Sequence, residues 1–185
     1  AIVGIGYTKF SQAPEVSNLS LAAEAALNAI KDAGLKTKQI HSIASYTRGD
    51  TPNQGVLAAM LGLEQLYWNW DDTPGAAYCA DELIGMAASA VMQNLGDYVI
   101  VFHVVNRWAN RNPQIGLQGL DGGGIWEEAQ YSRPYGANAG IHRAALMARR
   151  RMIKHGSKPE DFGRVVMAAR NNACLNDRAL LRTHI

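Results

Sequence analysis

The chain has 185 residues, 48% of them hydrophobic and 18% charged, with a formal net charge of +2. That balance excludes a disordered or collagen-like chain and leaves enough apolar material for one proper core. The small positive charge gives no footprint for nucleic acid, and no apolar run reaches the ~20 residues needed to span a bilayer.

The two cysteines, Cys79 and Cys174, lie too far apart in sequence for a metal-ligand or disulfide pattern. No basic segment with a cleavage site opens the sequence, so a reducing, cytoplasmic setting is the expectation, with no metal. Residues 1–6 form a short apolar run closed by glycine, which predicts a buried strand. Gly4 and Gly6 lack the third glycine and the following helix of a dinucleotide loop, so that reading is rejected. Ser17 and Ser20 are candidate helix caps. The helix after them carries Leu21, Ala25, Leu27 and Ile30 on its apolar face and stops at Ala33-Gly34, with Gly34 as the left-handed cap. Residues 40–46 predict a second strand. Residues 53–61 predict a helix stopped by Gly62, and residues 66–70 an aromatic-rich strand.

The stretch from Thr73 to Val91 organises the rest. Pro74-Gly75 breaks the chain, and Leu83, Ala87 and Val91 then recur four apart beside a second row of Ile84 and Ala88, predicting a helix with a wide apolar stripe. Asp81 and Glu82 fall in or near its first turn, where negative charge suits the helix dipole. Cys79 sits at or just before the helix start, where unpaired N–H groups favour a thiolate nucleophile. A small buried cysteine acting as a hydrophobe is the competing reading.

Residues 97–105 form a continuous apolar run, the pattern of a strand covered on both faces, and His103 within it reads as a core histidine. The alternation of strands and helices predicts an α/β layered domain over residues 1–105 with at least part of its sheet parallel. Residues 106–185 form a second region. Its first part, to residue 140, is a long polar and glycine-rich excursion whose Gly122-Gly123-Gly124 cluster reads as a hinge. In this region Tyr131 and Tyr135 are candidates to line an acyl pocket. Two helices follow, over residues 141–155 and 160–175, the second opened by Ser157-Lys158-Pro159-Glu160, which reads as an N-cap with proline at or near the first turn. Arg143, Arg149, Arg150, Arg151 and Lys154 crowd the first of them. A solvated face explains such a cluster, and so does an anion site for a phosphate-bearing ligand. His142, His155 and His184 read as solvent-facing.

Four stretches together resemble the thiolase superfamily, in its thiolase-like lipid-transfer-protein branch that includes steroid side-chain retro-aldolases. They are residues 1–10, the helix from Leu21 to Leu35, the Gly85-Met86-Ala87-Ala88-Ser89-Ala90-Val91 helix with its Asp97-led strand, and residues 148–165. Asn176-Asp177-Arg178-Ala179 adds to the last. The resemblance implies a mixed sheet with helices on both faces, followed by a mostly helical loop region. Members of the family are about twice this long, so the chain corresponds to the N-terminal half. The family's Gly-His-Pro and Cys-Gly-Gly-Gly motifs belong to the other half and do not occur here. Apolar surface meant for that half is expected to be exposed.

Counting back from Ala90-Val91 puts the family's nucleophile position at Ala77, which has no attacking atom, and Cys79 matches only with a two-residue shift. The resemblance therefore implies retro-aldol cleavage of a β-hydroxyacyl-CoA with a bulky, steroid-like acyl group. The alternatives are thiolase acyl transfer through Cys79, or a non-catalytic scaffold subunit. Candidate substrate-binding residues are Ala77, Tyr78, Tyr131, Tyr135, Arg143 and Arg150. No cofactor is implied beyond the coenzyme A of the substrate. The implied partners are a second copy, through the sheet edge, and a small acyl-CoA-associated OB-fold protein.

Overall fold

The computed structural model describes residues 1–11, 16–45, 51–71, 79–106, 131, 133–137 and 140–185. The chain divides into two compact units, Ala1–Asn110 and Arg111–Ile185.

The first unit is α/β. Helix α1 (Asn18–Asp32) starts where Ser17 accepts a hydrogen bond from the Ser20 amide at 3.1 Å. It ends at Gly34, whose φ of +69° is the left-handed conformation that glycine adopts without a Cβ penalty. A short 3₁₀ turn (Thr37–Gln39) leads into strand β1 (Ser42–Ser45). Helix α2 (Gln54–Met60) is capped by Asn53, which accepts from the Gly55 amide at 2.8 Å. Strand β2 (Trp68–Asp71), helix α3 (Cys79–Met92) and strand β3 (Val99–Phe102) follow.

The three strands form a parallel sheet in the order β2-β1-β3, with Ser42 opposite both Trp68 and Val99. Every pairing among the described residues is parallel, where a mixed sheet was expected. The order steps outward from β1 in opposite directions, so right-handed crossovers must carry α2 and α3 over opposite faces. The packing agrees. On one face Ile43, Ile100, Phe102 and Val104 join Ala22, Ala26, Ile30, Leu57 and Leu61 of α1 and α2 in one core cluster. The intervening Ser42 turns to the other face, where its hydroxyl donates to the Leu95 carbonyl just beyond α3 at 2.7 Å. Leu83, Ala87 and Ala90 are the buried positions of α3. Fully burying a side chain such as Ile43, Leu57 or Leu83 contributes about 1.5–3 kcal/mol.

Several sequence expectations are corrected here. Residues 1–6 are not in the sheet. Their backbone lies on α1, with the Ile5 amide donating to the Asp32 carboxylate at 2.9 Å and the Asn28 side-chain amide donating to the Tyr7 carbonyl at 2.9 Å. A Cβ on Gly6 would collide with the Ala25 carbonyl oxygen, and one on Gly4 would stand 2.8 Å from the Ala33 Cβ. The glycines therefore serve close approach to a helix, and helix side chains take hydrogen bonds that a neighbouring strand would otherwise supply. Ile2, Val3 and Ile5 stay exposed as a result. Leu27 and Val91 are exposed too, because the apolar stripes of α1 and α3 are narrower than their sequences suggest. Strand β3 is not buried evenly on its two faces: Ile100 and Phe102 are buried, while Val99 is half-buried and Val101 is exposed.

The second unit contains a 3₁₀ turn (Arg133–Tyr135), helix α4 (Gly140–His155) and helix α5 (Pro159–Cys174). Within Ser157-Lys158-Pro159-Glu160 the N-cap residue of α5 is Lys158, with Pro159 in the first turn. Asp161 reaches back to accept from the Lys158 amide at 2.8 Å, a role for a first-turn carboxylate that also suits the dipole.

Candidate functional site

Open parallel sheets bind ligands outside the carboxyl ends of their strands. In the first unit, that end carries a set of tied polar side chains. Gln54, the first residue of α2, is 1% exposed, and its Nε2 donates to the Ser45 hydroxyl at 2.7 Å and to the Trp70 carbonyl at 3.0 Å. One side chain thus joins the ends of β1 and β2 to the start of α2. Asn106, 4% exposed, donates from Nδ2 to Asn18 Oδ1 at 3.0 Å and ties the segment after β3 to the start of α1. Between them the Thr51 hydroxyl meets His103 Nδ1 at 2.7 Å. Buried polar groups satisfied in this way stiffen the rim rather than destabilise it.

Cys79 is the first residue of α3, and Asp81 and Glu82 lie in the first turn. The helix therefore opens after β2, on the same carboxyl side of the sheet, with its first-turn N–H groups and positive dipole end there. Ala77 and Tyr78 lie outside the described residues. His103 corrects the sequence reading: it is exposed at the end of β3, not a core residue. Thr51, Gln54 and Asn106 were missed altogether. Their shared signal is position, each a polar residue beside an apolar strand end or helix start, which a search for catalytic motifs passes over.

The remaining candidates belong to the second unit. Tyr131 is 79% exposed and Tyr135 is 85% exposed. Tyr135 lines a shallow hollow with His142, Ala145 and Leu146. Arg150 lines an open hollow of about 360 Å³ along α4 with Met147, Arg151, Lys154 and His155. These positions share one face at helical spacing, so Arg150, Arg151 and Lys154 form one stripe, while Arg149 lies on another face of the helix. Arg143 is exposed one turn or more toward the start of α4. Among the described residues no group of three or more His, Cys, Asp or Glu side chains is arranged to hold a metal, and no helix is long and apolar enough to cross a membrane.

No family model matches the chain. It is 32% identical over 182 residues, 97% of its length, to a protein of Thermomonospora curvata named "Steroid side-chain-cleaving aldolase". It is 34% identical over 184 residues to a protein of Mycobacterium tuberculosis named "17-hydroxy-3-oxo-4-pregnene-20-carboxyl-CoA lyase". This chain is similar to steroid side-chain aldolases. It spans 46% of each of these relatives, about half their length. A solved structure described as "Ltp2-ChsH2(DUF35) aldolase" superposes with a TM-score of 0.83 at 31% identity, over 98% of this chain and 45% of that one.

Proposed function

We propose that this chain is part of an enzyme that cleaves a carbon–carbon bond in a β-hydroxyacyl-CoA with a bulky, steroid-like acyl group, by retro-aldol chemistry. The similarity over 97% of the chain to two proteins named as an aldolase and a CoA lyase carries the reading. The layer order of α1 and α2, then the sheet, then α3 supports a thiolase-like frame.

The chemistry needs two things: a base for the substrate hydroxyl, and donors for the enolate that the thioester becomes when the bond breaks. The opening of α3 suits the second need. Its backbone N–H groups and dipole favour negative charge, and Ala77 and Tyr78 immediately precede it in sequence. Arg143 and Arg150 of the α4 stripe suit the phosphates of coenzyme A, which enters as part of the substrate. Tyr131 and Tyr135 offer apolar surface with a polar tip for the acyl group. Strands β2 and β3 each pair on one side only among the described residues, which supports a dimer through a sheet edge. The two-component description of the solved structure supports a further partner, a small acyl-CoA-associated OB-fold protein. A cytoplasmic location belongs to the same reading.

Acyl transfer is the second reading, favoured by one observation: Cys79 is the first residue of α3. Assaying the full-length protein, alone and with the OB-fold partner, on a β-hydroxyacyl-CoA with a tertiary hydroxyl separates the two. Retro-aldol cleavage gives a ketone and a shortened acyl-CoA, and Cys79→Ala retains it. Loss of all turnover in Cys79→Ala, with thiol-dependent acyl exchange in the wild type, would establish acyl transfer instead.

A further inference from the structure

Residues 129–159 hold seven lysines and arginines and no Asp or Glu, in a chain whose net charge is only +2. Three of these cations, Arg150, Arg151 and Lys154, line the open hollow of about 360 Å³ on α4 together with Met147 and His155. Lys154 stands four residues after Arg150 and three after Arg151, so the three come together within one helical turn, with Cβ atoms roughly 5–6 Å apart. Like charges at that spacing repel and weaken a helix. Among the described residues no carboxylate pairs with any of the three to relieve the repulsion. The helix dipole favours cations only in the last turn, which accounts for Lys154 but not for Arg150 and Arg151. An anion from outside the chain would turn this repulsion into attraction.

We propose that this hollow binds the 3′-phosphate of a coenzyme A thioester, with Arg150, Arg151 and Lys154 as its ligands. The proposal rests on the retro-aldol reading above and adds which end of the substrate α4 holds. A phosphate monoester carries about −1.5 to −2 charges near neutral pH and three strong acceptor oxygens. A phosphate inside a diphosphate chain carries less charge. Three converging cations therefore fit a terminal monoester better than a link in a chain. Guanidinium groups take phosphate oxygens in pairs, and the ammonium adds a point charge. The openness of the hollow fits the same end of the ligand. The centre that becomes an enolate needs water excluded, whereas a phosphate head stays bound while partly solvated. Met147, one turn before Arg150 and Arg151, offers a polarisable thioether to the adenine ring beside that phosphate. The consequence is substrate choice. A phosphopantetheine arm on a carrier protein has no 3′-phosphate, so the site selects coenzyme A thioesters over carrier-protein thioesters.

Titration calorimetry of the full-length protein with coenzyme A and with 3′-dephospho-coenzyme A tests the site. Coenzyme A is expected to bind about ten-fold or more tightly than its dephospho form, the low end for losing charge-assisted contacts. Arg151→Gln and Lys154→Gln together should abolish that difference and leave the dephospho form bound as before. Both side chains are exposed, so the pair of changes leaves the fold intact, which circular dichroism checks. Arg149→Gln, on another face of the same helix, should keep the full preference. In turnover of a β-hydroxyacyl-CoA, the paired variant should raise KM about ten-fold with little change in kcat, because a head far along the ligand from the breaking bond is held equally before and during the reaction. Equal wild-type affinity for the two coenzymes, or a loss in Arg149→Gln as large as in the paired variant, overturns the proposal and leaves the retro-aldol reading standing. A wild type that turns over no β-hydroxyacyl-CoA removes that reading, and a preference for coenzyme A that the paired variant loses would still support the site.

Discussion

The two units solve the folding problem differently. In Ala1–Asn110 a parallel sheet is packed by helices on both faces, and Ile43, Leu57 and Leu83 are at most 1% exposed. In Arg111–Ile185 no described residue is buried, and Met147, Ile153, Val165 and Leu175 are each more than two-thirds exposed. The first unit holds itself together by area removed from water. The described part of the second is held by local devices: the Asp161 cap on α5, the Arg164–Asp161 pair at 2.7 Å, and the Arg170 guanidinium on the Thr183 carbonyl at 2.8 Å. Local devices stabilise a helix by tenths of a kcal/mol to about one, whereas a packed core contributes several per side chain. The contrast assigns different duties. The first unit carries a stiff polar rim, and the described part of the second leaves charge and apolar surface exposed.

Substitutions of apolar residues in the two units should separate most widely. Leu57→Ala is expected to cost about 2–5 kcal/mol in chemical denaturation, since a fully buried leucine leaves a cavity. Val165→Ala on α5 should change the same measurement by about 0.5 kcal/mol or less, the usual range for an exposed site. A large loss from Val165→Ala would mean that the second unit hides a core and would break the comparison.

Gly6→Ala comes next. The added methyl meets the α1 backbone, which cannot yield as a flexible side chain would, so a loss of about 1–3 kcal/mol is expected, the scale of an overpacked contact. Thermal unfolding followed by circular dichroism reads it. An unchanged melting temperature would show that residues 1–6 do not rest on α1.

Helix caps sharpen the comparison further. Ser17→Ala should cost about 1 kcal/mol, as is usual for losing a side-chain cap, and Ser17→Asp should restore most of it. Smallest of all is Arg164→Ala, which removes an ion pair whose partners are 76% and 43% exposed, so a change of about 0.2–1 kcal/mol, shrinking in high salt, is the expectation.

Sequence legibility followed the same division between local and distant causes. The boundaries of α1 and α2 could be read because Ser17, Gly34, Asn53 and Gly62 act within a few residues of themselves. The α/β class could be read because the strands and helices alternate. Residues 1–6 could not, since Gly4 and Gly6 meet Ala25, Ala29 and Ala33, which lie 19 to 29 positions away. His103 was misread for a related reason. An apolar run says that a strand is covered, but only the sheet's end and Thr51, 52 positions distant, turn a histidine in that run into an exposed, oriented ring. Of the residues nominated from sequence, Cys79 was located at the start of α3 by its place in the chain, and Tyr135 and Arg150 line separate hollows of the second unit. No local pattern reveals which of them a ligand unites.

Intact-protein mass spectrometry during turnover of a β-hydroxyacyl-CoA by the full-length protein tests the central claim most directly. The account predicts accumulating ketone and shortened acyl-CoA with the protein mass unchanged throughout. An acyl adduct on Cys79 that forms and decays at the rate of turnover would contradict it.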